Sequence, residues 1–197
     1  MAERRDLARP SAPPLILAST SPQRRAILEQ LRIPFEVVAP RYEEEPGVDP
    51  VAHAREKARS VAGRAGDRPV LGVDTEVLCD GRQFGKPRDE EDAIDMLNAL
   101  SGRTHEVVSG LCLLTSAWEE SAREVTHVTF RELTPRDVAA CIAVEEWEGR
   151  AGAYAIQGFG ASLVERIDGD YLNVVGLPAS LLVRLLAERF TGTYGFG

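Results

Sequence analysis

Residues Leu15–Leu31, LILASTSPQRRAILEQL, constrain the fold more than any other stretch. The apolar run Leu15–Ala18 reads as a buried strand. It breaks at Ser19-Thr20-Ser21 and restarts at Pro22 as a helix, because a small hydroxyl residue caps free N–H groups and Pro fits the first helical position. Arg24 and Arg25 then fall in the first turn, where the partial positive charge of the helix N-terminus disfavours cations. Two arginines there make sense where an anion joins them. The apolar stripe Ile27, Leu28, Leu31 is centred almost directly below Arg24, and Arg25 projects about a quarter turn away. Two readings follow: a pair of solvated arginines, or a strand–loop–helix anion cradle built from backbone N–H groups, hydroxyls and Arg24. A Walker loop is excluded, since its Gly-rich spacing and Lys-Ser/Thr pair are missing.

A chain of 197 residues suits one domain with a substantial core. The formal net charge of −8 argues against a general nucleic-acid or anionic-membrane binder. It leaves room for a small phosphorylated ligand, which needs only a few local cations. Cys79, Cys112 and Cys141 have no paired spacing, so buried free thiols in a reducing cytoplasm are expected, not a zinc site. Residues 1–14 are polar and Pro-rich without an apolar centre. They read as a flexible leader, not a signal peptide. No apolar run approaches a membrane span. The expectation is a single domain over residues 15–190, a frayed tail over 191–197, and a cytoplasmic location.

Along the chain, Ile33–Ala39 reads as a short strand that enters the acidic loop Tyr42-Glu43-Glu44-Glu45. Asp49-Pro50 opens a helix to about Ala65, with Val51, Ala54, Ala58, Val61 and Ala62 on one face. Lys57 lies on the flank of that stripe, where its long side chain either is solvated or leans toward a cleft. Pro69–Cys79 is the strongest buried-strand signal and carries Asp74 in its middle. Alternation puts Asp74 on the face of Gly72 and Glu76, opposite Val73, Thr75 and Val77. A carboxylate in such a strand is costly unless it is paired, metal-bound or facing a cleft, so a functional Asp74 is favoured over a structural one.

Asp80-Gly81 predicts a hairpin back through Gln83–Lys86. Asp89 caps a helix with Ala93, Met96, Leu97 and Leu100 on one side. Glu106–Ser116 and Arg123–Leu133 read as antiparallel strands. Thr134-Pro135 starts a helix to about Glu146, the Gly-rich Gly149–Gly160 leads to a strand at Ala161–Asp168, and the last helix ends near Phe190.

Seven segments in order resemble the Maf-type nucleotide pyrophosphatases, a family also labelled septum-formation-inhibitor-like. They are LASTSPQRRAILEQL (17–31), EKA (56–58), GVDT (72–75), GKPRD (85–89), MLNALSGRTHEV (96–107), AGAYAIQG (151–158) and NVVGLP (173–178). The resemblance implies an α/β fold of the Maf/ITPase-like kind: a mixed, elongated, twisted sheet flanked by helices, in two lobes around a deep nucleotide-binding cleft. It implies hydrolysis of a nucleoside triphosphate between the α and β phosphates, a house-cleaning role against modified nucleotides, and a divalent cation, Mg²⁺ or Mn²⁺. A homodimer is implied as well, with no nucleic-acid or membrane partner.

Under that resemblance Ser19, Ser21 and Arg24 hold the triphosphate, and Lys57 and Lys86 add positive charge, since phosphoryl transfer rests on positioning and charge neutralisation. Asp74 matches the family's catalytic carboxylate, activating water directly or through the metal. Glu44 falls at the acidic-loop position, a second oxygen ligand beside Asp74. Substrate choice is associated with Gln23, Thr75 and Gln157. Thr75 and Gln157 agree with the branch acting on dTTP and UTP, whereas Gln23 departs from its usual Arg, which weakens that preference toward relaxed specificity. Glu76 also departs, from an apolar residue, and reads as a paired structural charge in preference to an extra metal-side carboxylate. Competing readings are a septation-inhibiting regulator that uses the nucleotide site as a sensor, and a pyrophosphatase of 7-methyl-GTP. A pure sensor has no need of Asp74.

Overall fold

The computed structural model describes residues 12–45 and 47–196. Of the leader expected over residues 1–14, residues 1–11 lie outside the described residues. Strand β1 (Leu15–Ala18) is wholly buried and turns through Ser19–Ser21 into helix α1 (Pro22–Gln30). Ser21 is the cap: its Oγ accepts from the Arg24 backbone N–H at 3.4 Å, with Pro22 in the first turn. Ile27 and Leu28 anchor α1 in the core. At about 1.5–3 kcal/mol for each buried aliphatic side chain, they fix where Arg24 points.

Strand β2 (Phe35–Val37) is shorter than the sequence suggests. Asp49 caps helix α2 (Pro50–Ala62) by accepting from Val51 N at 2.8 Å. Strand β3 (Val70–Cys79) and strand β4 (Arg82–Phe84) form the expected hairpin, and Asp89 caps helix α3 (Glu90–Leu100). Strands β5 (Thr104–Leu114) and β6 (Glu119–Phe130) pair antiparallel. Helix α4 (Pro135–Ala143) opens on a reciprocal Thr134–Asp137 capping box and stops before Glu146, because Glu145 takes the left-handed φ of 55°. Strand β7 (Val164–Asp168) begins later than Ala161, since Phe159–Leu163 coil as a 3₁₀ turn. Helices α5 (Tyr171–Val175) and α6 (Ala179–Arg189) complete the chain.

The sheet is mixed and seven-stranded in the order β2-β1-β3-β5-β6-β7, with β4 also on β3. Strand β1 runs parallel to β2 and β3, and the other pairings are antiparallel. This is the mixed α/β sheet that the sequence predicts. Strand β5 covers one edge of β3 from Val70 to Leu78. The opposite edge is shared, with β1 pairing Val70–Gly72 and β4 pairing Val77–Cys79. Between them Val73–Glu76 have no strand on that side among the described residues.

Core side chains gather in three places. On one face Leu15, Leu17, Leu71 and Val73 pack with Ile27 and Leu28 of α1 and the leucines of α6. On the other, Ile16 and Ala18 pack against Ala54, Ala58 and Val61 of α2. The far halves of β3, β5 and β6 bury Val77, Val107, Val128 and Phe130 under α3 and α4. Two glycines bring α2 down onto the sheet: a Cβ at Gly72 would lie 2.0 Å from the Ala54 carbonyl oxygen, and one at Gly110 would lie 2.3 Å from the Pro50 carbonyl. The expected frayed end is instead packed. Tyr194 is buried and donates to the Pro13 carbonyl at 2.9 Å.

Cys79, Cys112 and Cys141 are free and buried, and burial pushes the Cys112 and Cys141 thiols up to about 11. No helix among the described residues is long and apolar enough to cross a membrane.

Candidate functional site

A cleft of about 570 Å³ opens where β3 lacks a partner. Strand β1 ends at its rim, so Ser19 and Ser21 and then Gln23 and Arg24 of α1 form one wall. Asp74, Thr75 and Glu76 form the floor, and Glu44 and Lys57 come in from the side of α2. Lys86, just past β4, and Gln157, between a 3₁₀ turn at Ala151–Ala153 and the one at Phe159–Leu163, stand on the facing wall. Every site residue read from the sequence therefore lines one cleft.

Arg24 is held on all sides of its guanidinium. Its Nε donates to the Gly176 carbonyl at 2.9 Å, one terminal nitrogen donates to Ser19 Oγ at 3.1 Å, and the other to Thr75 Oγ1 at 3.3 Å. Burial pulls its pKa down, against the opposing charges of Asp74 and Glu44. Arg25 is exposed, as the helical geometry predicts. Thr75 Oγ1 also meets Ser109 Oγ at 2.8 Å and the Gly176 carbonyl at 3.3 Å. Gln23 Oε1 accepts from Ser21 Oγ at 2.9 Å, which fixes the hydroxyl loop.

Lys57 is deeper than a flank position implies. Its ammonium is buried between two carboxylates, bonded to Asp74 Oδ1 and 2.5 Å from Glu44 Oε1. Of the three acidic-loop glutamates, Glu44 is the one that reaches it. Burial alone would raise the Glu44 pKa; the bond and charge of Lys57, with Lys86 and Arg24, outweigh it and hold it below the usual range. Glu76 behaves oppositely. Partial burial, and then the charge of Asp74, raise its pKa.

Three residues escaped the sequence reading. Glu146 accepts from Phe159 N at 2.6 Å and so anchors the loop that carries Gln157. Arg150 lines the same wall, its pKa lowered by partial burial. His53 of α2 is buried, one helical turn before Lys57. It has a ring nitrogen within 4.8 Å of a carboxylate oxygen of Asp74 and of Glu76, which also lie that close to each other. A nitrogen and two carboxylates are a donor set that fits a divalent cation. The clue to His53 was its four-residue spacing from Lys57; Glu146 and Arg150 sit among turns, where no periodicity marks them.

A mixed sheet that presents helix-capping hydroxyls, four cations (Arg24, Lys57, Lys86 and Arg150) and a strand-borne carboxylate to one cleft defines a phosphate-handling α/β protein. A family model described as Maf-like protein matches residues 14–189, and the chain belongs to the Maf family. It is 44% identical over 183 residues to a protein of Syntrophomonas wolfei subsp. wolfei named dTTP/UTP pyrophosphatase, covering 89% of this chain and 97% of that one. Proteins of the same name from Deinococcus radiodurans and Pyrococcus furiosus are 43% and 40% identical, covering 95% and 87% of this chain and 97% and 93% of theirs.

Proposed function

We propose that the chain is a nucleoside triphosphate pyrophosphatase that hydrolyses pyrimidine triphosphates, dTTP and UTP, to the monophosphate and pyrophosphate. The observation that carries this reading is that Arg24, Lys57 and Lys86 face one cleft with Asp74 at its floor. A triphosphate brings several negative charges, and fixed cations in a partly dry cleft stabilise them without reorganisation. Ser19, Ser21 and the first turn of α1 add donors.

Asp74 is the general base in this reading. Its carboxylate takes a proton from the attacking water as the water oxygen bonds to phosphorus and the bridging P–O bond breaks, with pyrophosphate as leaving group. Lys57, bonded to Asp74, keeps that carboxylate aimed while Lys86 and Arg24 receive charge on the departing phosphates. Glu44 and Asp74 would hold a divalent cation, Mg²⁺ or Mn²⁺, which when bound supplies further charge neutralisation. Gln157 would read a base edge through its amide. Thr75 would act on substrate through the position it gives Arg24.

The test is a pyrophosphate-release screen over dTTP, UTP, dCTP, GTP and 7-methyl-GTP with Mg²⁺ or Mn²⁺, run beside Asp74→Asn. The expected result is turnover of dTTP and UTP, lowered about 10²–10⁴-fold in Asp74→Asn with nucleotide binding kept. Wild-type turnover by Asp74→Asn overturns the role of Asp74, and activity confined to 7-methyl-GTP overturns the pyrimidine assignment.

A further inference from the structure

We propose that His53, Asp74 and Glu76 form a site for a divalent transition-metal ion, with Asp74 shared between this site and the Lys57 side of the cleft. The placement follows from matched spacings. Asp74 and Glu76 are two residues apart on β3, about 6.6 Å along a strand, and His53 and Lys57 are four apart on α2, about 6 Å along a helix. Gly72 and Gly110 let α2 sit directly on this face. Lys57 and His53 therefore meet the two carboxylates together, and the three candidate ligand atoms lie within 4.8 Å of one another.

The two carboxylates have capacity to spare. Asp74 uses Oδ1 for Lys57, and its Oδ2 makes no hydrogen bond among the described residues. Glu76 has no cation within ion-pair distance among the described residues, although it is partly buried beside Asp74. Two carboxylates on one strand face repel, and a cation between them removes that repulsion. The His53 ring is oriented by Tyr42 Oη at 2.8 Å from Nδ1 and by the Glu45 carbonyl at 3.1 Å from Nε2. Ligation through one ring nitrogen replaces one of these bonds and keeps the other as the orienting partner, the arrangement usual for metal-bound histidine. One imidazole and two carboxylates favour Mn²⁺, Co²⁺ or Zn²⁺ over Mg²⁺, which prefers oxygen ligands and retained waters. Asp74 and Glu76 line the cleft, so the remaining coordination positions face water or phosphate oxygens.

This site goes beyond the pyrophosphatase reading and is tested without nucleotide. Co²⁺ is titrated into the full chain and followed by calorimetry and visible absorption, for wild type, His53→Leu, Glu76→Gln and Glu44→Gln, with thermal melts to establish folding. The expected result is a Co²⁺ site whose affinity is lowered at least about tenfold by His53→Leu and by Glu76→Gln and changes little in Glu44→Gln. Absence of Co²⁺ binding in wild type, loss in only one of the first two variants, or an equal loss in Glu44→Gln overturns the site. If His53→Leu does not fold, Glu76→Gln alone decides. Co²⁺ binding as described in a protein that releases no pyrophosphate overturns the enzymatic reading and leaves this site standing.

Discussion

Lys57 carries two carboxylates on one buried ammonium, and its removal strands both. Lys57→Met leaves the buried Asp74 carboxylate with no cation in contact among the described residues. Breaking such a pair costs about 3–5 kcal/mol; the half-exposed Glu44 adds little. The expected outcome is a lower denaturant midpoint with an unchanged m-value, together with loss of turnover. Thr75 is subtler. Thr75→Val removes the acceptor for Arg24 and the partner of Ser109. Stability should fall by about 1–3 kcal/mol, and KM for triphosphate should rise more than kcat falls, because Arg24 is loosened and Asp74 is untouched. Steady-state kinetics beside a melt separates the two effects. Arg24 was legible in the sequence because a single helical turn, a cap and a proline fix its direction. The three partners of its guanidinium were not legible, since they come from the loop at Ser19, from β3 and from the chain at Gly176.

Among elements, the packing of α2 on β3 decides the site. The apolar stripe of α2 is plain from its alanines, yet the same periodicity puts Lys57 on the flank and marks nothing at His53. The reason is distance. Helix and sheet approach over Gly72 and Gly110 more closely than side-chain layers normally allow, so residues at the margin of the stripe are drawn against the strand. Gly72→Ala and Gly110→Ala each place a methyl within 2.3 Å of helix backbone, which cannot move alone. Each should cost about 1–3 kcal/mol or more in chemical denaturation and should lower turnover as well, because lifting α2 withdraws Lys57 from Asp74. Unchanged stability in Gly72→Ala would show that α2 floats on the sheet. Strand and helix identities were otherwise readable from periodicity and caps. Boundaries slipped where a left-handed residue (Glu145) or a 3₁₀ turn (Phe159–Leu163) ended one pattern before the next began.

For the whole molecule, acid stability hangs on His105 of β5. Its ring is buried against Phe130 and Tyr154, with Nε2 3.0 Å from Tyr154 Oη and no partner on Nδ1. Burial lowers its pKa to about 4. An unfolded histidine titrates near 6.5, so between those values the unfolded chain binds the extra proton. Stability from this group is intact above about pH 6.5, declines as pH falls, and reaches its full loss near pH 4, roughly 3 kcal/mol in all. Denaturation midpoints of wild type and His105→Leu across pH 4–8 should diverge in slope over that window. The thiols give a second global reading: Cys112 and Cys141 should resist a thiol reagent at pH 8 until the chain unfolds.

The interrupted edge of β3 makes strand length a determinant of chemistry. The five steps along β3 from Gly72 to Val77, at about 3.3 Å each, leave a doorway about 16 Å wide between the ends of β1 and β4. A few more residues of regular pairing at either jamb would zip the doorway shut without altering one catalytic side chain. The hydroxyl-rich Ser19-Thr20-Ser21 and the Gly85-Lys86-Pro87 segment past β4 thus act as stops for the sheet as well as lining the cleft. A chain of this fold can lose its reaction by gaining sheet.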